Sequence, residues 1–104
     1  MLQFTKDQSG GAADMKVGET FEVELPENPT TGYRWYLRSS GGSLLQLQDD
    51  SFQASGETTC GAGGMRRWCF RAVQPGSSDL EMEHRRLWEK RPAEAFSLTI
   101  RVKS

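Results

Sequence analysis

Hydrophobic residues recur at every second position through most of this chain. In TFEVEL, Phe21, Val23 and Leu25 share one face while Glu22 and Glu24 take the other. YRWYL sends Tyr33, Trp35 and Leu37 one way and Arg34 and Tyr36 the opposite way. RWCFRA sets Trp68, Phe70 and Ala72 against Arg67, Cys69 and Arg71, and LEMEH sets Leu80, Met82 and His84 against Glu81 and Glu83. FSLTIRV turns Phe96, Leu98, Ile100 and Val102 to one side. A period of two means strands with one face buried and one wet. LQF, the turn-rich KDQSGGAAD and SLLQLQ predict further short or edge strands. No window carries a helical stripe with caps. Short strands separated by turn signals predict an all-β fold, an immunoglobulin-like antiparallel β-sandwich of about seven to eight strands. The Cys…Trp…Cys spacing of antibody domains is absent, so the core is expected to hold by packing alone.

Length and charge narrow the function classes. At 104 residues the chain is expected to be a single domain over 1–104, with no repeat or linker. A net charge of −1 supplies no field to recruit nucleic acid or anionic lipid. No apolar run reaches the length of a transmembrane helix. The first residues, MLQFTKDQSGG, lack the basic and apolar regions of a secretory signal. The compartment is therefore open between a cytoplasmic chain and an exported one whose signal has been removed. Cys60 and Cys69 are too few for a disulfide scaffold and fit either one bridge or two thiols.

Three connections break the alternation. In ENPTTGY, Pro29 fixes its own φ and biases Asn28 toward an extended backbone. Thr30 and Thr31 are stiff at χ1, and Gly32 is free to take a positive φ into the next strand. Such a loop has lost much of its freedom before meeting a partner, and its plain reading is a stiff turn. CGAGG, residues 60–64, is nearly bare backbone: either a flexible connection or a place where a partner's main chain approaches closely. HRRLWEKRP puts Trp88 where alternation has stopped, flanked by Arg86 and Lys90. That suits an interface hot spot or an Arg lying on a Trp as surface packing. In an immunoglobulin-like sandwich the loops after the second, fourth and sixth strands gather at one end, and these three loops hold those places.

The residues Asn28-Pro29-Thr30-Thr31-Gly32-Tyr33, Gly61-Ala62-Gly63-Gly64 and Arg86-Leu87-Trp88 resemble, in order and spacing, the chagasin-type inhibitors of papain-like cysteine peptidases. That family carries NPTTG before an aromatic, a GxGG loop and an Arg-Pro-Trp loop. The resemblance extends over nearly the whole chain to AEAFSLTIRV. Leu87 departs from the pattern, standing where the family has proline and removing a backbone constraint. The resemblance implies a reversible, non-covalent inhibitor that is not an enzyme, is monomeric and needs no cofactor. Its partner would be a papain-like cysteine peptidase. Thr30 would sit nearest the peptidase's reactive pair, with Pro29, Thr31 and Gly32 shaping a wedge. The GAGG backbone would pair along the unprimed side. Trp88 would cover the primed side, and Arg86 would seek a carboxylate or carbonyl of the enzyme.

Other chemistries fit the residues less well. A thiol–imidazole pair would recruit Cys60 or Cys69 with His84, but Cys69 falls on an outward face and no orienting third residue is evident. His84, in step with Leu80 and Met82, is expected inside the sandwich edge as a satisfied core histidine. Two cysteines nine apart and one distant histidine do not make a tetrahedral metal set. Arg66, Arg67, Arg71, Arg85 and Arg86 alternate with Glu81, Glu83 and Glu89 nearby, which predicts a solvated mixed-charge face rather than a nucleic-acid stripe. The alternative from another class is an adhesion or carbohydrate-binding module, which needs aromatics on a sheet face. Tyr36 is the clear outward strand aromatic here.

Overall fold

The computed structural model describes residues 2–28, 31–54 and 63–104. Its strands are β1 (Leu2–Phe4), β2 (Gly11–Lys16), β3 (Thr20–Glu27), β4 (Arg34–Ser40), β5 (Leu45–Ala54), β6 (Gly64–Ala72), β7 (Gly76–Arg85) and β8 (Glu94–Lys103). They form two four-stranded sheets, ordered β1-β3-β6-β5 and β2-β8-β7-β4. The architecture is the all-β, immunoglobulin-like sandwich that the alternation predicts. The central ladders are antiparallel, Phe21 facing Phe70 and Leu80 facing Leu98. The edge strands β1 and β2 instead join β3 and β8 in parallel. A parallel pair needs a long crossover rather than a hairpin, and residues 5–19 supply it by stepping into the second sheet and back.

Alternation reads correctly onto the core. Phe21, Val23, Leu25, Trp68, Phe70, Leu80, Met82, Phe96, Leu98 and Ile100 are nearly or fully buried. Burying each large side chain contributes roughly 1.5–3 kcal/mol. Phe21 stacks on Phe70 at 5.3 Å, and Phe4 meets Phe21 edge-on at 5.8 Å. Cys69 is a free thiol, and Cys60 lies outside the described residues. Two positions depart from simple parity. Leu47 is exposed because β5 is an edge strand whose ladder with β6 slips between Leu47 and Asp49. Tyr33 precedes β4 rather than belonging to it, and is half-buried.

His84 corrects the expectation of a satisfied core histidine. It is half-buried at the end of β7, opposite Trp35, and its ring stacks on the indole at 4.7 Å and 14°. Its buried Nε2 has no hydrogen-bond partner among the described residues. The inward parity was right, but β7 here is leaving the core and no donor or acceptor faces that nitrogen. Burial therefore pushes the imidazole below its ordinary value of 6.5; the nearby Glu94 and Glu27 carboxylates oppose the shift, and Lys6 adds to it. Since the folded state holds this proton less well than the unfolded chain, His84 contributes stability that is full above pH 6.5 and lost as pH falls through the depressed native value. Urea unfolding from pH 8 to pH 5 should show that loss, and His84→Phe, which keeps a stacking ring, should flatten it. An identical pH slope in the variant refutes this assignment.

Candidate functional site

The ends of β3, β5 and β7 and the starts of β4, β6 and β8 lie at one pole, as the register requires. Glu27 pairs with Gly64, Ala54 with Gly64, Arg34 with Arg85, and His84 with Glu94. Loop one, residues 28–33, must cross there from the first sheet to the second. Glu27 ties the two ends of the crossing together. It is 4% exposed, and its carboxylate accepts the backbone N–H of Trp35 at 3.2 Å and pairs with Arg66 at 3.5 Å. In return the Trp35 indole N–H donates to the carbonyl of Pro26 at 2.8 Å. Arg66 also bonds Asp50 at 2.6 Å, and that bond, together with the Asp50 and Glu27 charges, holds its guanidinium above its usual value against the cost of burial. Glu27 was not among the residues expected at the site. Its signal was parity, because TFEVELPE places it on the face of Phe21, Val23 and Leu25.

Loop one closes on itself. The Thr31 N–H and hydroxyl both donate to the Asn28 carbonyl, at 3.2 and 2.8 Å, and the Tyr33 N–H donates to the Thr31 hydroxyl at 3.3 Å. A β-branched side chain restricted at χ1, with a hydroxyl that can bond nearby backbone, suits that double duty. Gly32 takes φ +82°, the left-handed conformation anticipated for it. Pro29 and Thr30 lie outside the described residues. So do Gly61 and Ala62 of loop two. Gly64 is a ladder residue that opens β6 rather than a free loop position. Gly63 lies against the root of loop one, where an added Cβ would come within 3.4 Å of the Glu27 carbonyl and 3.6 Å of Asn28. Those are ordinary contact distances, so Gly63 packs against the root of loop one without the space itself demanding glycine.

Loop three, residues 86–93, is hinged at its base by the Ala93 N–H donating to the His84 carbonyl at 2.8 Å. A β-turn closes its tip, with the Glu89 N–H donating to the Arg86 carbonyl at 3.1 Å. Leu87 and Trp88 occupy the two central turn positions and are 73% and 74% exposed. No other described large hydrophobic residue exceeds 44%, so this pair stands apart as unpartnered apolar surface. Arg86 points back into the protein. Its guanidinium lies 4.5 Å from the Tyr33 ring and 5.9 Å from the Trp88 ring, its Nε donates to the Thr31 carbonyl at 3.3 Å, and Glu89 is 3.8 Å away. Gly32 sits beside Arg86 and Trp88, with 3.8 Å left for a Cβ. Loops one and three are thus fastened into one edge, with loop two rooted alongside.

Among the described residues the rival chemistries lack geometry. Cys69 points outward in its ladder between Glu22 and Asp49, and burial and those two carboxylates push its thiol up, the reverse of an activated nucleophile. Arg66, Arg67, Arg85 and Arg86 each face a carboxylate, as a mixed-charge surface requires. Tyr36 is half-buried beneath the Arg85 guanidinium at 4.7 Å, so it offers no open platform for a sugar. Phe52, which the sequence analysis did not single out, is 37% exposed on edge strand β5.

Known proteins are similar to this chain in sequence and in fold. Chagasin of Trypanosoma cruzi is 27% identical over 105 residues, covering 96% of this chain and 94% of that one. Amoebiasin-1 of Entamoeba histolytica is 28% identical over 102 residues, covering 97% and 99%. The crystal structure of the cysteine protease inhibitor EhICP2 from Entamoeba histolytica superposes with a TM-score of 0.89 over 98% of this chain and 95% of that one. At 18% identity it is a likeness of fold. The family described as chagasin family peptidase inhibitor I42 matches residues 14–100. With that match spanning most of the sandwich and all three loops, the chain belongs to the chagasin family of peptidase inhibitors and is not an enzyme.

Proposed function

We propose that this protein is a reversible, non-covalent inhibitor of papain-like cysteine peptidases that occludes the active-site cleft with the three loops of one pole. The observation that carries the reading is the fastening of loops one and three into one edge by Arg86, around the exposed Leu87 and Trp88. Binding costs entropy for every segment that must order, and a prefastened edge reduces that cost. In this reading Asn28, Pro29, Thr30, Thr31, Gly32 and Tyr33 form the wedge, with Thr30 nearest the peptidase's cysteine and histidine. Gly61, Ala62, Gly63 and Gly64 bring backbone to the unprimed side. Leu87 and Trp88 cover the primed side, while Arg86 serves from within by holding loop three against loop one. Contacts at three separated places would bury about 1,600 Å² in total, the size of other tight inhibitor complexes.

Titrating papain with the protein, with residual hydrolysis of a peptide substrate as readout, tests this directly. Inhibition that saturates at one equivalent, with intact inhibitor recovered on dissociation, supports the reading. Unchanged turnover at high excess rejects it in favour of an adhesion or carbohydrate-binding module.

Two substitutions test the parts. Trp88→Ala should weaken binding by about 2 kcal/mol or more, mostly through faster dissociation. A variant that dissociates like the parent removes loop three from the interface. Thr30→Asp would carry an unpaired charge into a desolvated cleft and should raise the inhibition constant at least about tenfold. Unaltered inhibition by that variant places the tip of loop one outside the cleft.

A further inference from the structure

Apart from the Glu89–Arg86 turn hydrogen bond, the tip of loop three carries no residue that restricts its own backbone. From Arg86 to Arg91 it contains no proline, glycine or β-branched residue. Leu87 holds the second position of the Arg86–Glu89 turn, the place where proline is favoured because its fixed φ suits the turn. Leucine there leaves φ free, yet Trp88, the next residue, is the exposed aromatic on which the proposed contact relies.

Arg85, the last residue of β7, addresses this with its side chain. Its Nη1 lies 3.4 Å from the Arg86 carbonyl, 3.3 Å from that of Leu87 and 3.4 Å from that of Glu89. The same guanidinium is braced from behind, its Nε 3.4 Å from the Glu83 carboxylate and its face 4.7 Å from the Tyr36 ring. Each carbonyl contact is long and individually weak, but all three converge on one cationic nitrogen. Fixing three carbonyl directions around the turn fixes the peptide planes on either side of Leu87 and the one after Glu89, and with them the direction in which Trp88 leaves the backbone. A planar guanidinium braced on one edge and one face can do this, whereas a single ammonium on a flexible stem cannot.

We propose that Arg85 is the positioning residue of loop three, gathering the turn's carbonyls in place of a backbone restraint at Leu87 and so holding Trp88 in its outward pose. The affinity part of this inference rests on the proposed inhibition, but the ordering of the turn does not.

The test uses Arg85→Ala, Arg85→Lys, Leu87→Pro and the double variant Arg85→Ala/Leu87→Pro. Two readouts are taken: amide hydrogen exchange of Glu89 in the free protein and the dissociation rate from papain. The Ala93 amide, bonded to the His84 carbonyl, reports whether the loop base is intact. The Leu87 N–H donates no hydrogen bond among the described residues, so proline there removes none. Arg85→Ala and Arg85→Lys should each speed Glu89 exchange and dissociation about tenfold, with Ala93 exchange and the association rate within about threefold of the parent. Leu87→Pro alone should move Glu89 exchange by less than about threefold, and in the Arg85→Ala background it should restore that exchange to within the same margin. Because Leu87 itself lies in the proposed interface, dissociation is compared between Leu87→Pro and the double variant, which should agree within about threefold. Parental Glu89 exchange in Arg85→Lys, or no restoration by proline, overturns the proposal. Should Arg85→Ala fail to fold, Arg85→Lys, which keeps the charge beside Glu83, decides alone. A parent protein that does not inhibit papain would reject the proposed function, while the exchange measurements would still decide the role of Arg85.

Discussion

The buried carboxylate of Glu27 is the constraint on which the three-loop pole depends. A sandwich is weakest where its chain passes from one sheet to the other, because no ladder spans that gap. Here the passage is loop one. Glu27 closes the gap by accepting the Trp35 N–H from the opposite sheet, and Trp35 answers by donating its indole N–H to Pro26. Removing one partner of a buried charged cluster typically costs about 3–5 kcal/mol. The arrangement is therefore hard to lose without losing the fold locally. It also explains why the position carries a polar acceptor, since an apolar side chain there would pack but leave the Trp35 N–H unmet. Arg66 gives the carboxylate its opposite charge.

From that clasp the order passes outward through rings and carbonyls. Trp35 supports His84, His84 lies 5.5 Å from Tyr33, and Tyr33 carries Arg86, which reaches the Thr31 carbonyl. Arginines that by composition look like a basic surface are thereby turned inward at this pole. Single exposed ion pairs are worth about 0–1 kcal/mol, so Arg86–Glu89 alone would hold little. Planar stacking combined with hydrogen bonds to carbonyls gives the guanidinium several shallow restraints at once, and loop three inherits their sum.

The fold was largely legible because a two-residue period is a local property. TFEVEL, RWCFRA and FSLTIRV needed only their own spacing to announce an inward face. The parallel edges were not legible, since the pairing of Leu2 with Phe21 depends on a chain crossover that no window of residues encodes. Within the pole, Gly32 was readable from its place after two threonines, and Trp88 from the break in alternation. Glu27 was readable in principle by parity, but a glutamate at an inward position is discounted unless its partners are known. Arg66 lies 39 residues away along the chain. The inward turn of Arg85 and Arg86 was illegible for a different reason, since backbone carbonyls are the same at every residue and leave no trace in the sequence.

The exposure of Leu87 and Trp88 gains its meaning from this inward fastening. An aromatic on a loose loop gains little by being exposed, because it would fold down onto nearby apolar surface. Trp88 has such surface nearby in Tyr33, yet the Arg86 guanidinium already lies on the Tyr33 ring at 4.5 Å and keeps only a longer contact, 5.9 Å, with Trp88. The cation thus does two things with one position: it closes loop three onto loop one, and it covers the Tyr33 ring that Trp88 would otherwise meet. Apolar surface that has been prevented from burying itself keeps its full hydrophobic free energy for a partner, roughly 25 cal/mol for each Å² covered. Stiffness and exposure at this pole are therefore two effects of the same contacts, and a change that loosens the edge should also dull it.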